Sequence, residues 1–325
     1  MITDIYSPPY NWYFDAPGGP FAGAYDMPRV AWRRIRKKVG LAASPQVGAL
    51  ATVLKDLRTT ASAALTKHGL PSIIEAAVVS SIDLVALYDE DIYDAAEHAG
   101  LSAENLPGVE VWYLDFPDTL LTDMRYKRQP KHQDAAQIGF KVGVCDDYLS
   151  TAGCNQQRAE AGKTTRNFLT VHVTRQGLAL ESALRHSVDW TDVLYYQQHE
   201  SYFEASLGVA SLMAAKNDMS RKTAYWNDVE KFVGGYANRF SFINLTDVLM
   251  IGESAEFPDF KEHVVQTIMA LGLSTQTSEP AVHLQKNGQS LFTASKGAAE
   301  MARRVLDAPY GCAWPDNERP PHCRR

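Results

Sequence analysis

The stretch TDVLMIGESAEFPDF, Thr246 to Phe260, holds the residues with the clearest chemical potential. An apolar run stops at Gly252, Glu253 and Ser254 follow, and a helix begins soon after. A strand, a glycine turn and a helix start form a common phosphate cradle, because bare backbone lets N–H groups approach the anion. This turn carries its own carboxylate, Glu253. Against a triphosphate that charge would cost roughly 1 to 4 kcal/mol per phosphate charge at contact range. Three other patterns invite chemistry but read as structural. AGKTT, Ala161 to Thr165, ends like a P-loop, yet that pattern needs a glycine where Gln157 stands and a buried strand before it. EDIYD, Glu90 to Asp94, gathers acids like a metal motif of helical bundles, but acids in a first helical turn favour the macrodipole without a metal. CDDYLSTAGC sets Asp146 and Asp147 between two cysteines and reads as a solvated, bridged loop. The sequon at Asn244 falls where a buried strand begins, so it is expected to stay unmodified.

Bulk properties narrow the function classes. A formal net charge of −6 argues against a general nucleic-acid binder, which needs a basic surface. The 45% hydrophobic and 22% charged content is ordinary for a globular chain, and 325 residues suffice for one large or two modest domains. No apolar run approaches the length of a membrane span, and Met1 to Gly23 lacks the basic start and apolar core of a signal peptide. The four cysteines fall into two local pairs, Cys145 with Cys154 and Cys312 with Cys323. Two small disulfide loops would imply an oxidising compartment and secretion; four free thiols would imply the cytoplasm, and the spacing leaves both open. No C-x-x-C suggests a zinc site.

These residues must be positioned by an α/β framework. Residues 1–28, rich in proline, glycine and aromatics, read as an irregular arm. RVAWRRIRKKVG follows with six basic residues and reads as a solvated helix face, with a membrane or acidic-partner patch as the alternative. Ser44 caps a clear helix through SPQVGALATVLKDLRTTASAAL, with Pro45 in its first turn. A buried strand (76–82), a helix ending at Gly100, a strand in GVEVWYLDFP and a helix from Asp118 come next. NFLTVHVTRQGLALESALRH reads as a hairpin turning at Gln176 and Gly177. Helices are expected over 190–216 and through KTAYWNDVEKFVGGYANRF. The strand DVLMI, its glycine turn, the helix DFKEHVVQTIMALG, a polar loop, a short strand and the small-residue helix of SLFTASKGAAEMARRVLDA complete the chain.

The order of these pieces resembles the actin and heat-shock-chaperone ATPase superfamily, and is most similar to fungal proteins with an actin-like ATPase domain. Three stretches carry the likeness: the helix–strand–helix from Val47 to Leu101, the strand–turn–helix from Leu245 to Ile268, and SLFTASKGAAEMARR. The resemblance implies a ribonuclease-H-like fold of two lobes facing each other across a cleft, with nucleotide at its base. It divides the chain into an arm (1–43), an abbreviated first lobe (44–165) and a second lobe (166–325). The final helix, about 295–307, is expected to cross back to the first lobe. The cleft is then expected to be lined by Asp83, Asp115, His172, Arg175, Gly252, Glu253, Ser254 and Lys296.

The departures from the family pattern set the functional expectation. The first phosphate hairpin has no counterpart in residues 1–43. The second, where an aspartate and several glycines are implied, presents His172, Thr174, Arg175 and a single Gly177. In LDFPD, Phe116 takes the carboxylate's place and Asp115 is displaced by one residue, which flips its side chain in a strand. ATP hydrolysis is therefore not expected, and neither ATP nor magnesium is expected as a cofactor. The leading expectation is a non-hydrolysing pseudo-ATPase that binds a small ligand or a protein partner in the cleft. The alternative is a repurposed enzyme of fungal small-molecule (secondary) metabolism, with His172 and Asp115 or Glu253 as acid and base. An active ATPase ranks third.

Overall fold

A computed structural model describes residues 31–74, 77, 79, 89–101, 132–146, 150–161, 165–186, 201–239, 245–272 and 281–307. The contacts divide the chain into two compact units: Met1–Val79 with Leu84–Gln129, and Ser80–Asp83 with Pro130–Arg325.

In the first unit, residues 31–38 form helix α1, Pro45–Lys67 form α2 and Asp89–His98 form α3. The start of α2 is the one read from the sequence. The Ser44 hydroxyl accepts the Val47 N–H at 3.1 Å, and Pro45 opens the first turn. Its end is set by Gly69 at φ +69°, with the Leu70 N–H reaching back to Leu65 O. Val47, Ala51 and Leu54 form one buried stripe that packs on Ala95, Ala96, Ala99 and Leu101. The basic run is not simply solvated. Arg33, 8% exposed, donates to Asp91 at 2.6 Å and to Asp94 at 2.6 Å, while Lys37 pairs with Asp94 and Glu97 at 2.7 and 2.5 Å. The inner face of α1 is thus a charged match to the acid-rich helix. The carboxylates of Asp91 and Asp94 are engaged there, and among the described residues no His, Cys, Asp and Glu group could hold a metal.

The second unit begins with α4 (His132–Phe140) and α5 (Thr151–Ala161). Cys145, in the segment after α4, and Cys154, in the first turns of α5, form a fully buried disulfide with Cα atoms 5.5 Å apart. Of the two states the spacing left open, this pair takes the bridged one, but the stretch is not the solvated loop expected: both cysteines are buried and Cys154 sits inside α5. In chain order that helix precedes AGKTT and the strand β1 follows it, the reverse of a P-loop's strand–loop–helix order. A hairpin follows, β1 (Thr165–Val173) with β2 (Leu178–His186), and then β3 (Tyr202–Glu204). After a 3₁₀ turn at Ala205–Leu207 come α6 (Val209–Ala214), α7 (Met219–Arg239), β4 (Asp247–Ile251) and α8 (Pro258–Ala270). The chain closes with β5 (Ala281–Leu284), a 3₁₀ turn at Gln289–Phe292 and α9 (Thr293–Asp307).

The sheet order is β3-β2-β1-β4-β5, with β2 antiparallel to both neighbours and β1, β4 and β5 parallel. The architecture is therefore α/β, as the sequence implied. Alternation places Leu169, Val171, Val173, Leu180, Val248 and Met250 on one face, against Trp226, Val229 and Val233 of α7 and Phe260, Val264 and Ile268 of α8. β4 is buried at all five positions, which explains its unbroken apolar run after Asp247. On the other side α4 meets β2 and β4, and α9 packs along α4. That packing needs two bare backbones. A Cβ on Gly297 would sit 2.7 Å from Gly139 N, and one on Gly139 would sit 2.9 Å from the Thr293 carbonyl carbon.

Three segments differ from the expectation. Residues 201–216 hold β3, a 3₁₀ turn and short α6 instead of one helix, because Tyr202–Glu204 pairs with Leu178–Leu180. β5 lies in the expected polar loop; four residues are too few to show a period. The short strand expected at SLFT is 3₁₀. The strands expected at 76–82 and in GVEVWYLDFP, the arm, Asn244, Cys312 and Cys323 lie largely or wholly outside the described residues.

Candidate functional site

Five of the eight anticipated residues converge where β1 and β4 end side by side. β1 pairs His172 with Ile251 of β4, so the two following turns begin at the same level. The first turn is built by Thr174. Its hydroxyl accepts the N–H groups of Gln176 and Gly177 at 3.2 and 2.9 Å and donates to Gly177 O at 2.8 Å. Gly177 is required by packing, since a Cβ there would fall 3.1 Å from Glu204 O and against the Phe203 ring. From below, Val209 and Ala210 donate their N–H groups to Thr174 O and Arg175 O at 3.1 and 2.9 Å. The turn is a fixed object.

The second turn leaves β4 at Gly252, whose φ of +103° few side-chain-bearing residues adopt. A Cβ at Gly252 would also lie 2.9 Å from His172 Nε2. Its N–H donates to Ser290 O at 3.2 Å, and the Ser254 N–H donates to Val173 O at 3.1 Å. Glu253 projects between the turns, and its Oε1 accepts the Arg175 N–H at 2.7 Å. A carboxylate on the main-chain N–H of a turn is the same chemistry as a phosphate oxygen on that turn. Here the anion belongs to the chain.

His172 is half-buried at the end of β1. Burial lowers its pKa to about 4 from 6.5, and the nearby Glu253 charge pulls it upward by a smaller amount. At neutral pH the ring is therefore uncharged. Arg175 carries its side chain on the exposed turn. Lys296 lies on the exposed side of α9 and donates to Gln289, whose neighbour Ser290 receives the Gly252 N–H. The structure thus brings together His172, Arg175, Gly252, Glu253 and Ser254, and links Lys296 to them through the 3₁₀ turn. Asp83 and Asp115 lie outside the described residues.

A second polar cluster sits at the opposite, amino end of the strands, and the sequence reading missed it. Asp247 is fully buried and accepts from Arg166 at 2.5 and 2.9 Å, from Thr246 at 2.7 Å and from His283 at 2.8 Å. Burial alone would raise its pKa, but the bonds from His283, Arg166 and Thr246 outweigh that and hold it below the ordinary carboxylate value. Every oxygen is used within the cluster, and ligands of open α/β sheets collect at the other end. A carboxylate opening an apolar run was the available signal; its partners, 81 and 36 residues away, were not. Comparison of the chain with protein-family models and with curated proteins finds no match.

Proposed function

We propose that this chain is a degenerate, non-hydrolysing member of the actin and heat-shock-chaperone ATPase superfamily that binds a small ligand or a protein partner beyond the carboxyl ends of β1 and β4. The order of a hairpin, a parallel strand with a glycine turn, and a closing helix supports the family reading. One observation carries the loss of phosphate binding: the Glu253 carboxylate occupies the Arg175 N–H. The next two N–H groups of that turn are held by Thr174, so the hairpin offers a phosphate no free main-chain donor from Arg175 to Gly177. A triphosphate entering there would meet a fixed negative charge and lose contacts already made.

The alternative, acid–base catalysis by His172 with Glu253, draws support from their proximity. It draws little from basicity, because an imidazole with a pKa of about 4 is a weak base at neutral pH. Thermal unfolding of the whole protein across a magnesium–ATP titration tests the leading reading. The midpoint is expected to stay constant, and a concentration-dependent rise would overturn it. Native mass spectrometry of the purified protein then reports whether another small molecule travels with it.

A further inference from the structure

Helix α1 turns Arg33 and Lys37 inward and its large apolar residues outward, where an ordinary surface helix buries its apolar stripe. Arg33 and Lys37, one turn apart, are committed to Asp91, Asp94 and Glu97. On the far side Trp32, Ile35 and Val39 recur at three and four residues and are 60%, 53% and 65% exposed; Leu41 follows at 50%. Beside this stripe Arg34 and Lys38 are exposed and form no ion pair with the described residues. An apolar stripe including tryptophan, bordered by exposed cations, on the outer side of a helix matches the chemistry of an anionic bilayer surface. A peptide ligand would call for a groove, and a single convex helix offers none. The chain's net charge of −6 opposes approach to an anionic surface, so the attraction has to come from this local basic border at short range.

We propose that the outer face of α1 docks the protein reversibly on anionic lipid, with Trp32, Ile35 and Val39 entering the interface and Arg34 and Lys38 reading headgroup charge. This inference is independent of the proposed function, which concerns the other unit. The test is co-sedimentation of the full chain with phosphatidylcholine vesicles and with vesicles that also contain phosphatidylserine. The bound fraction is expected to rise about tenfold with the anionic lipid and to fall as salt screens the attraction. Trp32→Ser/Ile35→Ser/Val39→Ser should abolish binding, and Arg34→Glu/Lys38→Glu should remove its dependence on anionic lipid. Both sets lie on the exposed side, and circular dichroism checks that each variant keeps its helix content. Val53→Ser/Leu57→Ser, equally exposed on α2, should bind as the parent does. No sedimentation, equal binding to neutral vesicles, or normal binding by the stripe variant would each refute the proposal. So would a stripe-dependent dimer in gel filtration, or stripe-dependent binding of polyglutamate without vesicle binding; these would assign the face to a second copy or to an acidic protein.

Discussion

The Arg175 N–H meets Glu253 Oε1 at 2.7 Å, and the two N–H groups after it meet the Thr174 hydroxyl. Because Glu253 is exposed, its replacement removes an acceptor without opening a cavity. Glu253→Gly should therefore cost only about 1 kcal/mol of stability in urea unfolding. It should also create a response to inorganic phosphate that the parent lacks, seen as a rise in unfolding temperature with phosphate at constant ionic strength. An equal response in both proteins would mean that Glu253 does not block the turn. His172 makes a separate prediction. The native ring has a pKa of about 4 while the unfolded chain titrates near 6.5, so the unfolded state takes up the proton first. The contribution is absent above the upper value, grows against the native state as pH falls between the two, and reaches at most about 3 kcal/mol. His172→Asn should lose less stability than the parent when unfolding is compared at neutral pH and at pH about 4.5. Identical losses would remove His172 from the account of acid sensitivity.

At the scale of elements, the Asp247 cluster ties three parallel strands together: Arg166 from β1, Asp247 from β4 and His283 from β5. Asp247→Asn keeps the size but leaves the Arg166 guanidinium without its carboxylate, and should cost about 2 to 4 kcal/mol at neutral pH. The native pKa of Asp247 lies below its ordinary value, so the stability is present above that value and disappears as pH falls through the native one. Urea midpoints of parent and variant should converge in acid; a constant gap would show that the loss is packing, not charge. The elements legible in the sequence were those whose signals are local. Ser44 and Pro45 announced α2, the glutamine–glycine pair announced the β1–β2 turn, and DVLMI before glycine announced β4. What stayed hidden depends on partners far along the chain. β3 and β5 have three and four residues and exist because β2 and β4 offer edges to pair with. The same holds within the site. Gly252 and Glu253 stood out as types, whereas the role of Thr174 required seeing where its hydroxyl points.

At the scale of the molecule, the described residues of the two units hold very different cores. Among the described residues of the first unit the buried cluster is Ala43, Val47, Ala51, Leu54, Ala95, Ala96, Ala99 and Leu101, five of the eight being alanine. In the second, Trp226 stacks on His263 at 3.8 Å and meets Phe260 edge-on at 5.1 Å, within a cluster of twenty-one buried residues. Apolar stabilisation scales with the area removed from water, and an alanine side chain contributes a fraction of what leucine, phenylalanine or tryptophan does. The ion pairs of Arg33 and Lys37 offset this little, since paired charges give back much of their attraction in desolvation. The helices of the first unit should therefore open at lower free energy than the central strands of the second. Native-state hydrogen exchange across rising urea would resolve it: amides of α2 and α3 should exchange by a sub-global opening, while those of β1 and β4 wait for complete unfolding. If all four elements merged onto one exchange isotherm from the lowest urea upward, the chain would be a single cooperative unit and the inequality of its cores would have no thermodynamic expression.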